Sequence, residues 1–329
     1  MKHFCTYFDK AYLPQGISLY QSLITHEKES FLLWVLCLDD VTYQVLSSLK
    51  HKNVKLISHG EFLEKMPKQR ETFRNRSLIE YYYTCTPSLL QYIFREMGNA
   101  YSITYIDADM FFFMDSRELF NENENADVVI VPHNFENAKK ELELYGHYNV
   151  CFVHFRNTEN GIACLNWWAE MTFMSTQRGN GVWGDQKYLD EFPRLFNNVH
   201  VIQHKGVGAA PWNISQYTLI KNSLGIWIED EPLIVYHFAR LLFLKTNIFI
   251  PVRRIYLKKN ILKIIYLPYI ESLNKAYNDI RAVFPGYRVS YISHNFRGMY
   301  LGLLMGRGFI FYKNKLKRIG LSWPIGYER

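Results

Sequence analysis

The sequence has few cysteines and no cysteine motif. The cysteines are five in number, scattered, and include no CxxC pair, which argues against a disulfide scaffold or a zinc knuckle. Several stand in apolar runs such as WVLCLDD and NVCFVHF and have the character of small buried side chains. The pattern predicts a reducing compartment for the thiols of Cys5, Cys37, Cys85, Cys151 and Cys164.

Long apolar runs are also lacking. No uninterrupted run reaches the ~18 residues expected of a membrane-spanning helix. The N-terminal stretch MKHFCTYFDKAYLPQ has no sustained apolar core and carries Asp9 early, unlike a signal peptide. No internal repeat is evident. These absences predict a cytoplasmic protein, and they leave attachment to a membrane surface open.

Acidic residues are scarce at the C-terminal end. Residues 240–329 hold 17 Lys and Arg against three Asp and Glu, whereas residues 1–239 hold 21 basic and 28 acidic residues. An acidic body therefore carries a basic end, an asymmetry that suggests docking to a polyanion. The net charge of +7 conceals this division.

The mixture of apolar and basic residues at the basic end favours a lipid surface as the polyanion. The stretch NFRGMYLGLLMGRGFIFYKNKLKRIGLSW mixes large apolar residues with a cluster of Lys313, Lys315, Lys317 and Arg318, as interfacial segments do. A packed helix with a solvated basic face and a nucleic-acid surface are the alternatives. We expect a basic, amphipathic and largely helical segment over 246–329 that binds anionic lipid on the inner face of the cytoplasmic membrane.

The first 245 residues alternate between strand-like and helix-like segments. Apolar runs such as HFCTYFD, SFLLWVLCLDD and YSITYIDAD read as strands, and PQGISLYQSLIT and TPSLLQYIFREMG read as helices, the latter with Pro87 in its first turn. Nearly continuous apolar strands separated by helices predict an α/β fold with a mostly parallel central sheet covered by helices. We expect one catalytic domain over 1–245.

The run YIDADMFFF places two carboxylates, Asp107 and Asp109, in a strongly apolar segment. Residues i and i+2 of an extended chain point the same way, and ligands of open α/β sheets bind at the carboxyl ends of strands. Like charges held this close repel unless a cation intervenes. A divalent metal with a phosphate ligand satisfies that need. Turn or helix capping is the alternative.

Other polar residues follow apolar strands or glycines. GVWGDQKYLDEFP carries Asp185 and Gln186 in a glycine-flanked loop that can reach a cleft, and PLIVYHFAR carries His237 at a strand end. An imidazole is a third ligand for the two carboxylates and suits Mn²⁺ better than Mg²⁺. A buried core histidine is the alternative.

In their order, CTYFDKAYLPQGISLYQSL, YIDADMFFF, NVCFVHFRN, GDQKYLDEFP, APWN and YHF resemble the retaining, metal-dependent glycosyltransferases of the GT-A fold, close to glycosyltransferase family 8. The resemblance extends over about residues 3 to 240. It implies transfer of a sugar from a nucleotide-diphosphate donor, usually UDP-linked, with Mn²⁺ or Mg²⁺ at the diphosphate.

The resemblance also implies roles for individual residues. Asp107, Asp109 and His237 match the metal ligands, with Asp107 also at the nucleotide. Residues of the loop after the first strand match nucleotide contacts, and Asp185 and Gln186 match the pair beside the donor sugar, with Gln186 facing the anomeric carbon. The loop residues concerned are Thr6, Tyr7, Asp9 and Tyr12.

The chain departs from the family at two points. Tyr83 and Thr84 stand where an Arg is common, and HFARLLF replaces the usual Gly and Lys after the histidine, so that we expect Arg240 to supply the cation for the diphosphate. Trp212 and Asn213 of APWN are expected at the acceptor site. Of the adjacent pair at 167–168, one tryptophan is expected in the core and the other half-exposed.

The resulting prediction is a hexosyl- or N-acetylhexosaminyltransferase that builds a surface glycan on a lipid-linked or lipopolysaccharide acceptor. A sugar-nucleotide pyrophosphorylase would need a glycine-rich phosphate loop, whereas YFDKAYLPQGIS has one glycine. An inactive, membrane-associated sugar-binding or scaffold protein of the same fold is the non-enzymatic alternative. Nucleic acid is not expected as a partner, because no recognised reading module surrounds the basic residues.

Overall fold

Strands and helices alternate along the chain as the apolar pattern predicts. The computed structural model describes residues 1–98, 101–121, 124–177, 183–245, 248–251, 255 and 257–288, together with the backbone of 308–312 and 315–319. The described strands are β1 (Lys2–Phe8), β2 (Phe31–Cys37), β3 (Val54–Ser58), β4 (Ser102–Ile106), β5 (Met110–Phe112), β6 (Val128–Pro132), β7 (Tyr148–Arg156), β8 (Val199–Val201), β9 (Leu219–Asn222), β10 (Gly225–Ile228), β11 (Glu231–Pro232), β12 (Val235–His237), β13 (Leu242–Lys245), β14 (Ile248–Ile250), β15 (Gly308–Tyr312) and β16 (Lys315–Ile319).

Helices connect these strands, and several of them begin at polar caps. The side chains of Asp39, Ser58 and Thr158 accept hydrogen bonds from backbone N–H groups of the first turns that follow them, as N-cap residues do. The described helices are α1 (Leu13–His26), α2 (Asp40–Leu49), α3 (His59–Lys65), α4 (Pro67–Asn75), α5 (Leu78–Met97), α6 (Arg117–Asn121), α7 (Glu159–Met174), α8 (Phe192–Leu195), α9 (Lys259–Ile261) and α10 (Leu267–Val283), with a π-helical turn at Leu262–Tyr266 joining the last two.

A seven-stranded sheet in the order β3-β2-β1-β4-β7-β6-β8 forms the centre. All neighbouring pairs are parallel except the two made by β7, which runs antiparallel to both β4 and β6. Apolar side chains on the two faces of the sheet belong to two separate clusters of the core. The mostly parallel α/β sheet predicted from the sequence is confirmed.

Helix α5 is longer than the sequence pattern predicts. It begins at Leu78, where Ser77 and Glu80 form a capping box, so that Pro87 lies inside the helix and not in its first turn. Proline leaves a carbonyl of the preceding turn without its helical donor. Side chains from outside the helix donate hydrogen bonds to carbonyls of this turn: the Tyr7 hydroxyl donates to the carbonyl of Tyr82 at 2.8 Å, and a glutamine amide of α4 donates to the carbonyl of Thr84.

The part of the chain that follows residue 245 packs in part on this body. Helix α10 lies against α1, and Ala276 and Ile280 share a core cluster with the sheet. The hydroxyl of Tyr287 donates to the carbonyl of Lys10 at 2.7 Å. Beyond this helix, β15 and β16 extend an antiparallel sheet begun by β13 and β14. The boundary at 245 stays a prediction.

The predicted basic cluster at 313–318 lies almost wholly outside the described residues, since only the backbone of 315–318 is described there. Among the helices that the structure describes, none combines the length and apolar character needed to cross a bilayer.

Candidate active site

Asp107, Asp109 and His237 come together at the carboxyl end of β4. Strand β4 ends at Ile106, and the chain turns through the two aspartates into β5, which pairs antiparallel with β12 so that Met110 stands opposite His237. The imidazole Nε2 lies 3.2 Å from Oδ1 of Asp109 and 3.6 Å from Oδ2 of Asp107. One possible ligand atom from each residue lies within 4.8 Å of the others.

The electrostatics of this cluster fit a cation. Burial, with a further contribution from Asp109, raises the pKa of Asp107 to about 6. Burial opposes protonation of His237, but Asp109 and Cys151 outweigh it and raise the pKa of the imidazole well above its ordinary value. Two carboxylates and one imidazole are the donors that Mn²⁺ accepts, so the residues present fit the divalent metal that the family resemblance implies.

A cleft of about 630 Å³ opens beside this cluster. Its polar lining includes Asp107, His237, Asp185 and Gln186, and much of the rest is aromatic. The side chains that line it are those of Tyr7, Tyr83, Asp107, His133, Phe135, Leu142, Tyr145, Asn149, Val150, Trp183, Asp185, Gln186, Trp212, His237, Ala239, Arg240 and Ile255.

Asp185 is a buried carboxylate in the wall of the cleft. Its Oδ2 accepts a hydrogen bond from the hydroxyl of Thr86 at 2.9 Å, and its carbonyl accepts one from Nε1 of Trp168 at 3.0 Å. Burial raises the pKa of this carboxyl to about 7. The next residue, Gln186, donates from Nε2 to the carbonyl of Tyr145 at 3.1 Å. The structure thus brings the two predicted residues into the same cleft as the metal cluster.

Comparison with known proteins assigns the chain to a family. Residues 32–201 match the model of a family described as nucleotide-diphospho-sugar transferase. Two proteins of Bacillus subtilis (strain 168) are similar along most of their length: the uncharacterized protein YfnF is 33% identical over 246 residues, covering 72% of this chain and 80% of YfnF. The uncharacterized protein YfnD is 27% identical over 300 residues, covering 88% of this chain and 94% of YfnD.

The chain belongs to the nucleotide-diphospho-sugar transferase family. Among solved structures, an active-site mutant of LgtC matches with a TM-score of 0.50 at 12% identity, covering 84% of this chain and 95% of LgtC. That likeness concerns the fold, which is of the GT-A type. The protein is therefore a nucleotide-sugar glycosyltransferase, and the similarity to glycosyltransferase family 8 is consistent with both findings.

In this transferase, Thr6 and Tyr7 belong to β1 itself, so that of the four residues predicted in the loop after this strand only Asp9 and Tyr12 follow it. The ring of Tyr7 lines the cleft, and Asp9 accepts hydrogen bonds from the N–H of Ala11 at 2.9 Å and the hydroxyl of Tyr82 at 3.1 Å. Burial of its hydroxyl, followed by the charges of Asp109, Asp107 and Asp9, raises the pKa of Tyr12. Thr6 is fully buried and does not line the cleft.

Of the three residues predicted at the acceptor and the diphosphate, two line the cleft and one does not. Trp212 and Arg240 line the cleft. Asn213 does not: it is 1% exposed, its Oδ1 accepts from the N–H of Ala210, and its Nδ2 donates to the carbonyls of His133 and Gly208. Both ends of the amide are thus committed to backbone groups.

The tryptophan pair behaves as expected, because Trp168 is fully buried and Trp167 is half-buried. Most of the lining residues were not singled out from the sequence as binding residues, among them His133, Phe135 and Tyr83. The signal for the first two was their position directly after β6, since its carboxyl end contributes to the same edge of the sheet as β4. The ring of Tyr83 packs on Gly184, next to Asp185.

Proposed function

We propose that the protein transfers a hexose or N-acetylhexosamine from a UDP-linked donor to a glycan acceptor, with Mn²⁺ or Mg²⁺ at the donor diphosphate. The observation that carries the proposal is the cluster of Asp107, Asp109 and His237 beside a cleft of about 630 Å³. Two carboxylates and an imidazole are a costly set to hold together without a cation. The family membership supplies the reaction class.

Each group of the cleft has a proposed role. Asp107, Asp109 and His237 hold the metal, whose positive charge, when bound, stabilises the leaving diphosphate. Arg240 is exposed at the rim of the cleft, where it supplies a further cation for that diphosphate. Tyr7, which lies near the end of β1 and lines the cleft, holds the nucleotide together with Asp9 and Tyr12 of the loop that follows.

Retention of the anomeric configuration is proposed through attack on the front face of the sugar. Asp185 is a weak candidate for a nucleophile, because it is 5% exposed, has a pKa of about 7 and accepts a hydrogen bond from Thr86. Gln186, whose amide is oriented by the carbonyl of Tyr145, is suited to a polar contact near the anomeric carbon. Both residues position the donor sugar.

The acceptor is proposed to be lipid-linked or part of a lipopolysaccharide or surface polysaccharide. The support is the basic charge of residues 240–329, which would hold the enzyme at an anionic membrane surface on the cytoplasmic side. The part of this segment with the densest basic cluster lies outside the residues whose side chains the structure describes.

Calorimetric titration of UDP into the protein tests the proposal. We expect binding in the presence of Mn²⁺ and its loss when EDTA replaces the metal. Binding that is equally tight in EDTA would overturn the roles of Asp107, Asp109 and His237. If UDP, GDP and CMP all fail to bind with the metal present, the donor-binding function itself is refuted and the inactive scaffold is favoured.

A further inference from the structure

The turn that carries two of the proposed nucleotide residues is short and depends on contacts from outside it. A 3-10 turn at Lys10–Tyr12 follows Asp9 directly. The N–H of Tyr12 donates to the carbonyl of Asp9 at 3.0 Å, and Oδ1 of Asp9 accepts from the N–H of Ala11 at 2.9 Å. Because a 3-10 turn of this length has few hydrogen bonds of its own, its conformation depends on the groups that surround it.

Side chains from three neighbouring parts of the fold contact this turn. The hydroxyl of Tyr82, on α5, donates to Oδ2 of Asp9 at 3.1 Å. Asp39, the N-cap of α2, accepts on Oδ2 from the N–H of Lys10 at 2.8 Å. The third contact comes from the C-terminal part of the chain, where the hydroxyl of Tyr287 donates to the carbonyl of Lys10 at 2.7 Å. Both backbone groups of Lys10 are therefore held by side chains that are distant in sequence.

The hydroxyl of Tyr287 is a buried hydrogen-bond donor. The side chain is 4% exposed, and its ring lies against that of Tyr277 with the centroids 5.9 Å apart. Burial, followed by the effects of Asp9, Tyr277 and Asp39, raises the pKa of Tyr287, so the hydroxyl keeps its proton at physiological pH. Without this donor the carbonyl of Lys10 would lose its partner, and a partly buried acceptor without a partner is unfavourable.

The helix that precedes Tyr287 is anchored independently of the turn. Helix α10 packs against α1, and Nε2 of Gln21 on α1 donates to Oδ2 of Asp279 on α10 at 3.3 Å. At the other end of α10, the ring of Tyr269 stacks on that of Phe238, with the centroids 3.7 Å apart and an angle of 19° between the planes. The Tyr287 hydroxyl is therefore presented to the turn by a part of the fold with its own packing.

We propose that Tyr287 is a positioning residue for the nucleotide: its hydroxyl holds the turn in the conformation that presents Asp9 and Tyr12 to the donor. The inference rests on the proposed function, since it assumes that the nucleotide binds at this turn. The family model matches residues 32–201, so Tyr287 lies outside the matched part of the chain. The C-terminal part, predicted from its charge to dock on a membrane, thereby also serves the donor site.

The test compares Tyr287→Phe with Tyr277→Phe in the full chain. Each substitution removes one hydroxyl and keeps the ring, but the Tyr277 hydroxyl makes no hydrogen bond within the part of the chain that the structure describes. Affinity for UDP in the presence of Mn²⁺ is measured by calorimetry. We expect Tyr287→Phe to bind UDP about fivefold more weakly, the factor that corresponds to one ordinary hydrogen bond. Tyr277→Phe should bind UDP like the unaltered chain.

Two further measurements separate positioning of the turn from a general loss of stability. The rise in Tm that Mn²⁺ induces should be the same in Tyr287→Phe and in the unaltered chain, because none of the contacts described for Tyr287 involves a proposed metal ligand. In free Tyr287→Phe, hydrogen–deuterium exchange should be faster in the peptide that covers residues 9–13 than in the unaltered chain, with peptides of the central sheet as the reference. UDP should slow this exchange again.

Other outcomes overturn the inference. Equal UDP affinity of Tyr287→Phe and the unaltered chain would refute it and leave the proposed function intact. An equal loss of affinity in Tyr277→Phe, or loss of the Mn²⁺-induced rise in Tm in Tyr287→Phe, would assign the effect to the packing of α10 and refute it as well. If the unaltered chain does not bind UDP, the proposed donor is refuted and the inference falls with it.

Discussion

Replacing Asp109 with Asn should remove the stabilisation that Mn²⁺ gives to the folded protein. The substitution keeps the size of the side chain and removes one of the two charges that face Nε2 of His237, at 3.2 Å. In the metal-free protein two effects oppose each other: a charged contact with the imidazole is lost, and the repulsion from Asp107 is relieved. Because these effects have opposite signs, the free energy of unfolding of each protein in EDTA serves as that protein's own reference.

Bound Mn²⁺ makes a large contribution to the free energy of unfolding. At a Mn²⁺ concentration of about 100 times Kd, binding to the folded state alone adds about 2.7 kcal/mol. For a chain of this size that corresponds to roughly 5 °C in Tm, at about 2 °C per kcal/mol. If loss of one ligand charge weakens Mn²⁺ binding about a hundredfold, the same concentration adds only about 0.4 kcal/mol, and the shift falls below about 1 °C.

The assay is thermal unfolding of both proteins with and without Mn²⁺. Asp230→Asn is the matched control, because this carboxylate is 82% exposed and pairs with Lys205 outside the cleft. It should retain the full metal-induced shift. If Asp109→Asn shows the same shift as the unaltered chain, the assignment of the cluster as the metal site is refuted.

Three further predictions concern the loop after residue 183 and the C-terminal segment. Gly184→Ala should lower the free energy of unfolding by about 2 kcal/mol in urea titrations, because Gly184 has a φ of +63° and a Cβ there would lie 3.0 Å from the Tyr83 ring; an unchanged midpoint would contradict this. The folded-state pKa of Asp185 is raised from 3.8 to about 7, so in EDTA the free energy of unfolding of the unaltered protein should fall by up to about 4 kcal/mol as the pH rises from about 4 to 7. Asp185→Asn should abolish this fall, and parallel curves of stability against pH for the two proteins would count against it. Removal of the chain from Asn295 onward should weaken binding to anionic vesicles but not to neutral ones. If the truncated protein sediments with anionic vesicles as well as the full chain does, the docking hypothesis is refuted.

The sequence pattern predicted those features of the fold and the site that depend on a single strand or loop. Apolar strands predicted the sheet. The i, i+2 spacing predicted that Asp107 and Asp109 face the same site from an extended strand, but β4 ends at Ile106 and both aspartates lie in the turn that follows it. The Gly-flanked loop predicted the approach of Asp185 to a cleft. The pattern predicts the start of α5 too late, because proline is common in the first turn of a helix. The actual start is marked by the capping box of Ser77 and Glu80, which is visible in the sequence as SLIE.

Features that depend on several distant segments were not predicted. The arrangement of His133, Phe135 and Trp212 in the wall of the cleft needs the left-handed backbone of Asn134 and donors from the 212–216 turn, none of which has a periodic signal. Trp212 and Asn213 are neighbours and both donate to the carbonyl of His133, yet only Trp212 lines the cleft. Only the path of the chain through this turn decides which side chain faces the ligand.

The geometry of the metal cluster is set mainly by the backbone. The N–H of Asp107 donates to the carbonyl of Cys151 on β7 at 2.9 Å, and the carbonyl of Asp109 accepts from the N–H of Phe238 at 3.0 Å. The N–H of His237 donates to the carbonyl of Ala209, also at 3.0 Å. These bonds connect four distant segments and involve none of the ligand side chains. Substitution of a ligand side chain should therefore leave the backbone of the cleft in place, so that the loss of metal binding in Asp109→Asn can be separated from a loss of folding.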